Sequence, residues 1–205
     1  MLTYSNIKRF DNLSFEDYLI MGSGAMDDKI YSHSFLKSEV SGTSPLFIPS
    51  NKVKMGKMVD SILMSPDEVD PSLPEFAQAC KIASSIKVQF KGLIDNFIPQ
   101  VSYTAELSYK GLVMKACGRL DWLLPNHAVI DLKVTDAKTD KEFAKIIDFM
   151  GYQNQMQNYR GLSGVRQSFI LPYSTKAKTC LSVVKMEYSP GADEWWKQAV
   201  TRFGR

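Results

Sequence analysis

The sequence has little of what marks several large classes of protein. Its three cysteines are odd in number and widely spaced along 205 residues, at Cys80, Cys117 and Cys180. This spacing disfavours a disulfide framework or a zinc site and fits reduced thiols in a cytosol. The longest uncharged stretch, Val40–Asn51, has 12 residues and is rich in Ser, Pro and Gly, so no segment is expected to cross a membrane. The first ten residues lack an apolar signal-peptide core, and secretion is not expected.

A strong net charge is also missing. Twenty-five basic residues against 22 acidic ones leave a formal charge of +3, which does not by itself indicate a nucleic-acid partner. Two local clusters are more basic: the C-terminal stretch 160–205, and Lys52, Lys54 and Lys57 within six positions. Either cluster alone is typical of a solvated surface. Together they favour a polyanionic partner only slightly.

The hydrophobic share of 44% and the charged share of 23% are those of an ordinary globular protein. The length predicts a single domain over residues 1–205. We divide it into an irregular and helical part (1–50), a core (51–161) and C-terminal strands with a helix (162–205). Helices alternate with β-branched, aromatic-rich strands, which predicts an α/β fold with a central mixed β-sheet flanked by helices. The predicted strands are Gln100–Tyr109, Gly111–Leu123, His127–Val134, Gln167–Tyr173 and Cys180–Tyr188. The predicted helices are Phe15–Ile20, Ser32–Glu39, Lys54–Met64, one or two between Pro74 and Asn96, Thr139 to about Arg160 with Gly161 as C-cap, and Asp193–Phe203.

Two acidic residues and a lysine form the most informative pattern. If Pro125-Asn126-His127 is the turn of a β-hairpin, Asp121 and Asp131 lie opposite each other with their Cβ atoms about 5 Å apart. Lys133 follows Asp131 by two positions and emerges on the same face of the strand. The other face of that strand carries the apolar residues 128, 130, 132 and 134.

Facing carboxylates in a partly dry place repel each other, and one takes up a proton unless a cation sits between them. Mg²⁺ suits this position, since it uses one or two protein carboxylates and keeps its other positions for water and phosphate oxygens. A lysine beside such a site can orient a water molecule and stabilise charge on a phosphate. The alternative is an exposed hairpin with an Asp/Lys ladder of little consequence. The apolar surroundings of Asp131 argue against that alternative.

Three segments carry a resemblance to a known group. The first segment resembles the core motif of the PD-(D/E)xK nuclease superfamily: it consists of Gly-Arg-Leu-Asp121, nine intervening residues and Asp131-Leu-Lys133. The segment Gly151–Tyr159 resembles the Gly-Tyr-x-x-Gln-x-x-x-Tyr helix of its RecE-type and RecB-like branches. The segment Met55–Pro66 resembles their Gly-x-x-x-His helix. The resemblance, closest to phage-type recombination exonucleases, implies a restriction-endonuclease-like core. It also implies a Mg²⁺- or Mn²⁺-dependent deoxyribonuclease, an exonuclease on the ends of double-stranded DNA.

The matching positions imply roles for individual residues. Asp121 and Asp131 would bind the metal together with the carbonyl of Leu132, and Lys133 would position the attacking water. The helical motif implies that Gln155 and Tyr159 lie near the active site.

Further candidates follow from the same resemblance or from position. Tyr152 is expected near the DNA backbone. Glu106, one strand earlier, is a weaker candidate for holding metal or water, and an exposed strand glutamate is the simpler reading. The candidates for phosphate contact are Lys52, Lys54, Lys57, Lys176 and Lys178.

One position departs from the family pattern. Asp60 stands where relatives have histidine, and aspartate can also bind a hard metal. The alternative is that Asp60 is an ordinary surface residue of its helix. His33 and His127 do not fill the gap, since one lies in the N-terminal region and the other in the hairpin turn.

Two other readings remain open: a catalytically silent DNA-binding module with the nuclease fold, and a structural protein without a nucleic-acid partner. A homo-oligomer and a single-strand annealing protein as partner are implied by the resemblance alone. The sequence does not indicate the direction in which a DNA strand would be degraded, the DNA sequence specificity, or the choice between exonuclease and endonuclease action.

Overall fold

The computed structural model describes residues 1–10, 15–23, 29–41, 51–64 and 69–205. Its helices are α1 (Phe15–Gly22), α2 (His33–Ser41), α3 (Asn51–Met64), α4 (Phe76–Gln89), α5 (Asp140–Met150), α6 (Tyr152–Ser163) and α7 (Pro190–Phe203). Its strands are β1 (Thr3–Phe10), β2 (Ile30–Ser32), β3 (Ile98–Tyr109), β4 (Leu112–Leu124), β5 (Ala128–Thr135), β6 (Gln167–Ser174), β7 (Thr179–Cys180) and β8 (Val184–Lys185). Within the described residues, no helix is long and apolar enough to cross a membrane.

The strands form one mixed sheet in the order β1-β3-β4-β5-β6-β7, with β2 added to β4 and β8 to β6. β5 pairs with β6 in parallel, as β2 does with β4, and the remaining pairs are antiparallel. The crossover from β5 to β6 runs through α5 and α6, as a parallel pair requires. The predicted α/β fold with a central mixed sheet flanked by helices is confirmed.

Helices cover both faces of the sheet because alternate residues of each strand point to opposite sides. Val129 of β5 packs in one core cluster with residues of α2, α5, α6 and α7. Ile130 and Leu132 pack in a second cluster with residues of α3 and α4. The two apolar layers leave β5 buried on both sides, which is the usual position of a parallel strand.

Two strands, β1 and β2, were not predicted, and one predicted strand is wrong. β1 shows no alternation in its sequence because it is an edge strand in which every residue but Tyr4 is exposed, and β2 has only three residues. The single strand predicted over Cys180–Tyr188 is wrong: two strands of two residues, β7 and β8, pair with different parts of β6.

The helix predicted from Thr139 to about Arg160 is two helices. Thr139 caps α5 as expected, since its Oγ1 accepts the N–H of Glu142 at 3.2 Å. Gly151 then takes a left-handed conformation (φ 66°), which ends α5 and precedes α6. Glycine adopts this conformation without the steric cost that a Cβ imposes. The break therefore ends α5 at Gly151, and α6 begins as a separate helix.

Gly161 is not the C-cap. α6 continues to Ser163 and ends at Gly164, which has φ 70°. Gly161 lies inside α6 against the ring of Tyr4, where an added Cβ would be 2.3 Å from the ring. The absence of a side chain at this position lets β1 approach α6.

Candidate active site

The two predicted aspartates lie where β4 and β5 separate. The ladder between these strands pairs Trp122 with Ile130, Leu123 with Val129 and Leu124 with Ala128, the register predicted from the hairpin turn. Beyond Trp122 and Ile130 the ladder stops, and the same edge of β4 pairs farther along with β2 at residues 115–117. Asp121 and Asp131 are the next residues past the last pair. We call this opening between β4 and β5 the fork.

Asp121 is held by the backbone of β5. The N–H of Leu132 donates to Asp121 Oδ2 at 2.8 Å, so a carboxylate takes the place of the missing ladder bond. Burial raises the pKa of Asp121 well above its usual range, and the nearby carboxylates of Asp131 and Asp60 raise it further. Without a cation, the fork therefore disfavours the ionised form of Asp121.

Asp131 and Lys133 form a buried ion pair between Asp131 Oδ2 and Lys133 Nζ. The side chain of Asp131 is 1% exposed and that of Lys133 is 19% exposed. Burial raises the pKa of Asp131, although Lys133 opposes the shift. Burial lowers the pKa of Lys133, but Asp131, Tyr152 and Asp121 outweigh it and the net pKa is raised. Lys133 is thus a protonated ammonium group throughout the neutral range.

Tyr152 lies beside this lysine. Lys133 Nζ is 5.0 Å from the centre of the Tyr152 ring, a distance at which the ring face attracts a cation. The structure thus places the ammonium group between a carboxylate and an aromatic ring. Tyr152 was predicted to contact DNA, which stays a prediction, whereas its contact with Lys133 was not foreseen.

This contact gives a first testable result. If the site cleaves DNA, as the sequence resemblance implies, we expect Tyr152→Leu to lower the rate of cleavage about tenfold, since a partly buried cation–π contact contributes about 1–2 kcal/mol. Tyr152→Phe keeps the ring and should stay within about threefold of the parent rate. Steady-state cleavage of linear duplex DNA measures both. Equal losses in the two variants would show that the hydroxyl group, and not the ring, carries the effect.

Gln155 and Tyr159 are brought to the same place by α6. Gln155 Nε2 donates to the Tyr159 hydroxyl at 2.7 Å, and Tyr159 is 5% exposed. Burial raises the pKa of Tyr159 well above its usual range, and Asp131 and Asp121 add to the shift. The tyrosine therefore stays neutral and lies within electrostatic reach of both aspartates.

A glycine allows α6 to lie this close to β4. A Cβ at Gly118 would be 2.7 Å from Leu162 Cδ1 and 3.0 Å from Tyr159 Cε1. Next to it, Asn158 Nδ2 donates to the carbonyl of Cys117 at 3.3 Å. The bare backbone at Gly118 thus sets the distance between the Tyr159 ring and the strand that carries Asp121.

Asp60 reaches the site from α3, on the opposite face of the sheet from α6. Gln100 Nε2 donates to Asp60 Oδ2 at 2.9 Å, and Arg119 Nη2 donates to Gln100 Oε1 at 2.6 Å. Burial raises the pKa of Asp60 to about 6, with Gln100 and Arg119 lowering it and Asp131 raising it. Gln100 and Arg119 were missed from the sequence. The only signal was their position. Arg119 lies two residues before Asp121 on β4, and Gln100 lies on β3 between the partners of Leu120 and Trp122.

Gln100 has an unusual backbone, with φ 51°. This left-handed conformation costs a residue with a side chain about 1–3 kcal/mol. Ile98 and Val101, three residues apart, both pack against the first core cluster, although residues at that spacing in a regular strand face opposite sides. The break in alternation falls at Gln100, between Pro99 and Val101, which pair with Trp122 and Leu120 on either side of Asp121.

Glu106 is not part of this group. It pairs with Lys115 near the other end of β3, six residues from Gln100 and therefore roughly 20 Å along the strand. Its carboxylate accepts the side-chain amide of Asn6 at 2.6 Å. The structure separates Glu106 from the fork, and the role suggested for it at the metal or the water has no structural support.

The candidate phosphate-binding lysines lie near one end of β5. α3 packs there, since a Cβ at Gly56 would be 3.9 Å from Val134 Cγ2. The turn with Lys176 and Lys178 follows β6, whose Ser174 pairs with Thr135 of β5. Lys54, Lys176 and Lys178 are exposed, Lys57 is half-buried, and the side chain of Lys52 lies outside the described residues.

The donor set of the fork fits a hard divalent cation. It consists of the carboxylate oxygens of Asp121 and Asp131. Asp60 Oδ1 is a further buried oxygen without a hydrogen bond in the described part of the chain, but it does not form a metal-binding group with these two aspartates in this structure. Among the described residues, no three His, Cys, Asp or Glu side chains converge as a metal cluster. Mg²⁺ needs only one or two carboxylates, which Asp121 and Asp131 provide. Neither histidine contributes: His33 packs against Trp195 and Trp196, and His127 is exposed in the turn.

Comparison with known proteins gives a structural likeness. The chain resembles the crystal structure of a candidate exonuclease from Eubacterium rectale, with a TM-score of 0.64 and 20% identity over 94% of this chain and 85% of that one. A phage-related exonuclease from Haemophilus somnus (TM-score 0.47, 14% identity, 82% and 75% covered) is more distant. So is an alkaline exonuclease from Laribacter hongkongensis (TM-score 0.43, 11% identity, 92% and 90% covered). These two likenesses are too weak to establish a shared fold.

No protein-family model and no curated relative matches the chain. The likeness to the Eubacterium rectale structure establishes the fold, and the observed fork carries the two acids and the lysine of the sequence motif. The chain therefore shares the fold of that candidate exonuclease, an α/β fold with a mixed sheet flanked by helices.

Proposed function

We propose that the protein is a Mg²⁺- or Mn²⁺-dependent deoxyribonuclease that hydrolyses DNA phosphodiester bonds, acting as an exonuclease on double-stranded ends. The observation that carries the proposal is the buried ion pair of Asp131 and Lys133 beside Asp121 at the fork. Buried, mutually repelling carboxylates are costly for stability and are typical of sites that bind a cation or perform acid–base chemistry. A role in phage-type recombination belongs to the same proposal.

Asp121, Asp131 and the carbonyl of Leu132 would hold the ion. When bound, a divalent ion activates water and offsets phosphate charge. Leu132 donates its N–H to Asp121, which fixes the peptide next to Asp131. Burial raises the pKa values of Asp121 and Asp131, and the charge of Asp131 raises that of Asp121 further. A bound cation favours the ionised carboxylates, so cation binding should release protons.

Lys133 would act as a cation and not as a proton acceptor. Its pKa is raised, so it carries its proton at the pH of the reaction and can donate to the attacking water or to a phosphate oxygen. Tyr152 and Asp131 hold the ammonium group on two sides, which limits the positions that it samples. A preorganised donor of this kind stabilises charge that develops in the transition state.

The lysines at the end of β5 would contact DNA phosphates: Lys52, Lys54, Lys57, Lys176 and Lys178. These contacts depend on salt, since each phosphate that a protein neutralises releases counterions. We further propose a homo-oligomer and a single-strand annealing protein as partner, both from the resemblance alone.

The test is nucleotide release from linear duplex DNA labelled at the 5′ or the 3′ end. We expect release in Mg²⁺ or Mn²⁺, none in EDTA, and none from a closed circular duplex of the same sequence. The label released first gives the polarity. Cleavage of the circular duplex would contradict exonuclease action. Salt-sensitive DNA binding without Mn²⁺ uptake or cleavage would identify a silent DNA-binding module instead.

A further inference from the structure

Gln100 stands out because it is backbone-strained and yet contacts the fork. It takes a left-handed conformation near the start of β3, where an extended backbone would preserve the alternation of the strand. A residue held in such a conformation by its surroundings often marks a functional position. The side chain of Gln100 bridges two charged groups by hydrogen bonds: Asp60 on α3 and Arg119 on β4.

The two hydrogen bonds fix which end of the amide faces which partner. Arg119 can only donate, so it takes Oε1 of Gln100 at 2.6 Å and turns Nε2 toward Asp60 at 2.9 Å. The amide thereby occupies Oδ2 of Asp60 and leaves Oδ1 buried without a hydrogen bond in the described part of the chain. Gln100 lies between Pro99 and Val101, which pair with Trp122 and Leu120 on either side of Asp121. Its amide therefore holds Asp60 beside the fork although α3 lies on the other face of the sheet.

We propose that Gln100 is a positioning residue that keeps Asp60 beside the fork with Oδ1 free, so that this oxygen can join Asp121 and Asp131 when a divalent cation draws the three repelling carboxylates together. The inference rests on the proposed function, because it concerns the cation of that site. Groups that orient a metal-binding side chain typically change metal affinity 10- to 100-fold when they are removed. Asp60 stands where the resembled helix motif has histidine. The carboxylate of Asp60 is flexible, and the hydrogen bond from Gln100 gives it one orientation.

The experiment measures Mn²⁺ binding by calorimetry with DNA-free protein. Gln100→Asn is the main variant, since asparagine tolerates a left-handed backbone but is one methylene too short to reach Asp60. We expect the Mn²⁺ dissociation constant to rise about tenfold. Gln100→Leu, of similar size and without an amide, should give the same change. Gln167→Leu is the control because Gln167 is an exposed strand residue of β6, and its Mn²⁺ affinity should match the parent.

The Asp60→Asn background separates positioning from a general effect on structure. If Gln100 acts through Asp60, Gln100→Asn should change Mn²⁺ affinity less than about twofold in that background, since coupled residues are non-additive. A tenfold loss in both backgrounds would overturn the inference. Unchanged affinity in Gln100→Asn, with parent protein that binds Mn²⁺ and cleaves DNA, would overturn it and leave the proposed function intact. A parent that neither binds Mn²⁺ nor cleaves DNA would refute both. Circular dichroism in EDTA verifies that each variant is folded.

Discussion

Lys133→Met is expected to lower the rate of DNA cleavage on the order of 10²- to 10³-fold, the size of loss seen when one preorganised donor is removed from a transition state. Mn²⁺ binding should not weaken, because the substitution removes a positive charge from beside the carboxylates. Single-turnover cleavage and calorimetry together measure the two effects. The combination of lost catalysis and preserved metal affinity is specific to a lysine that acts on water or phosphate.

Asp131→Asn supplies the contrasting result. It removes a proposed metal ligand, so we expect cleavage and Mn²⁺ binding to be lost together. Lys141→Met and Asp148→Asn change the same residue types at exposed positions of α5 and serve as matched controls with parent activity. Full activity in either Lys133→Met or Asp131→Asn would refute the proposed site.

The second large effect is on folding. Gly118→Ala places a methyl group 2.7 Å from Leu162 Cδ1 and 3.0 Å from the Tyr159 ring. Both side chains are buried and have little room to move, so we expect a loss of about 1–3 kcal/mol in the free energy of unfolding. Urea denaturation in EDTA measures it. Cleavage should fall as well, since the ring of Tyr159 has to shift.

Gly56→Ala is the matched substitution. Gly56 lies inside α3, where the nearest atom to a new Cβ is 3.9 Å away. Alanine is the better helix former by about 1 kcal/mol, and the variant should gain stability. If Gly118→Ala were as stable as the parent, the close approach of α6 to β4 described here would be wrong.

The register that brings Asp121 and Asp131 together was predictable from the sequence because a short turn fixes the register of a hairpin. Pro125-Asn126-His127 places Trp122 opposite Ile130, and the next residues outward are Asp121 and Asp131. Local chemistry was enough to identify the acids and the lysine. It did not predict that the ladder stops there, which depends on β2 joining the same edge of β4 from a distant part of the chain.

The contacts across the fork could not be predicted. Gln100 and Asp60 are 40 positions apart and meet only because α3 packs under the sheet. The left-handed backbone at Gln100 has no signal in the sequence, since glutamine rarely adopts it. The break between α5 and α6 had one signal, Gly151, but an isolated glycine inside a helical pattern is often tolerated.

The parallel pairing of β5 with β6 has a consequence for synthesis of the chain. β5 carries Asp131 and Lys133, and its second edge stays unsatisfied until residues 167–174 arrive to pair with it. A nascent chain that has emerged only as far as α6 already contains every acidic residue of the fork but lacks the strand that buries them. We therefore expect a ribosome-bound chain of which only residues up to about 163 have left the exit tunnel to be sensitive to proteases at β5, and protection to begin once β6 is also out of the tunnel.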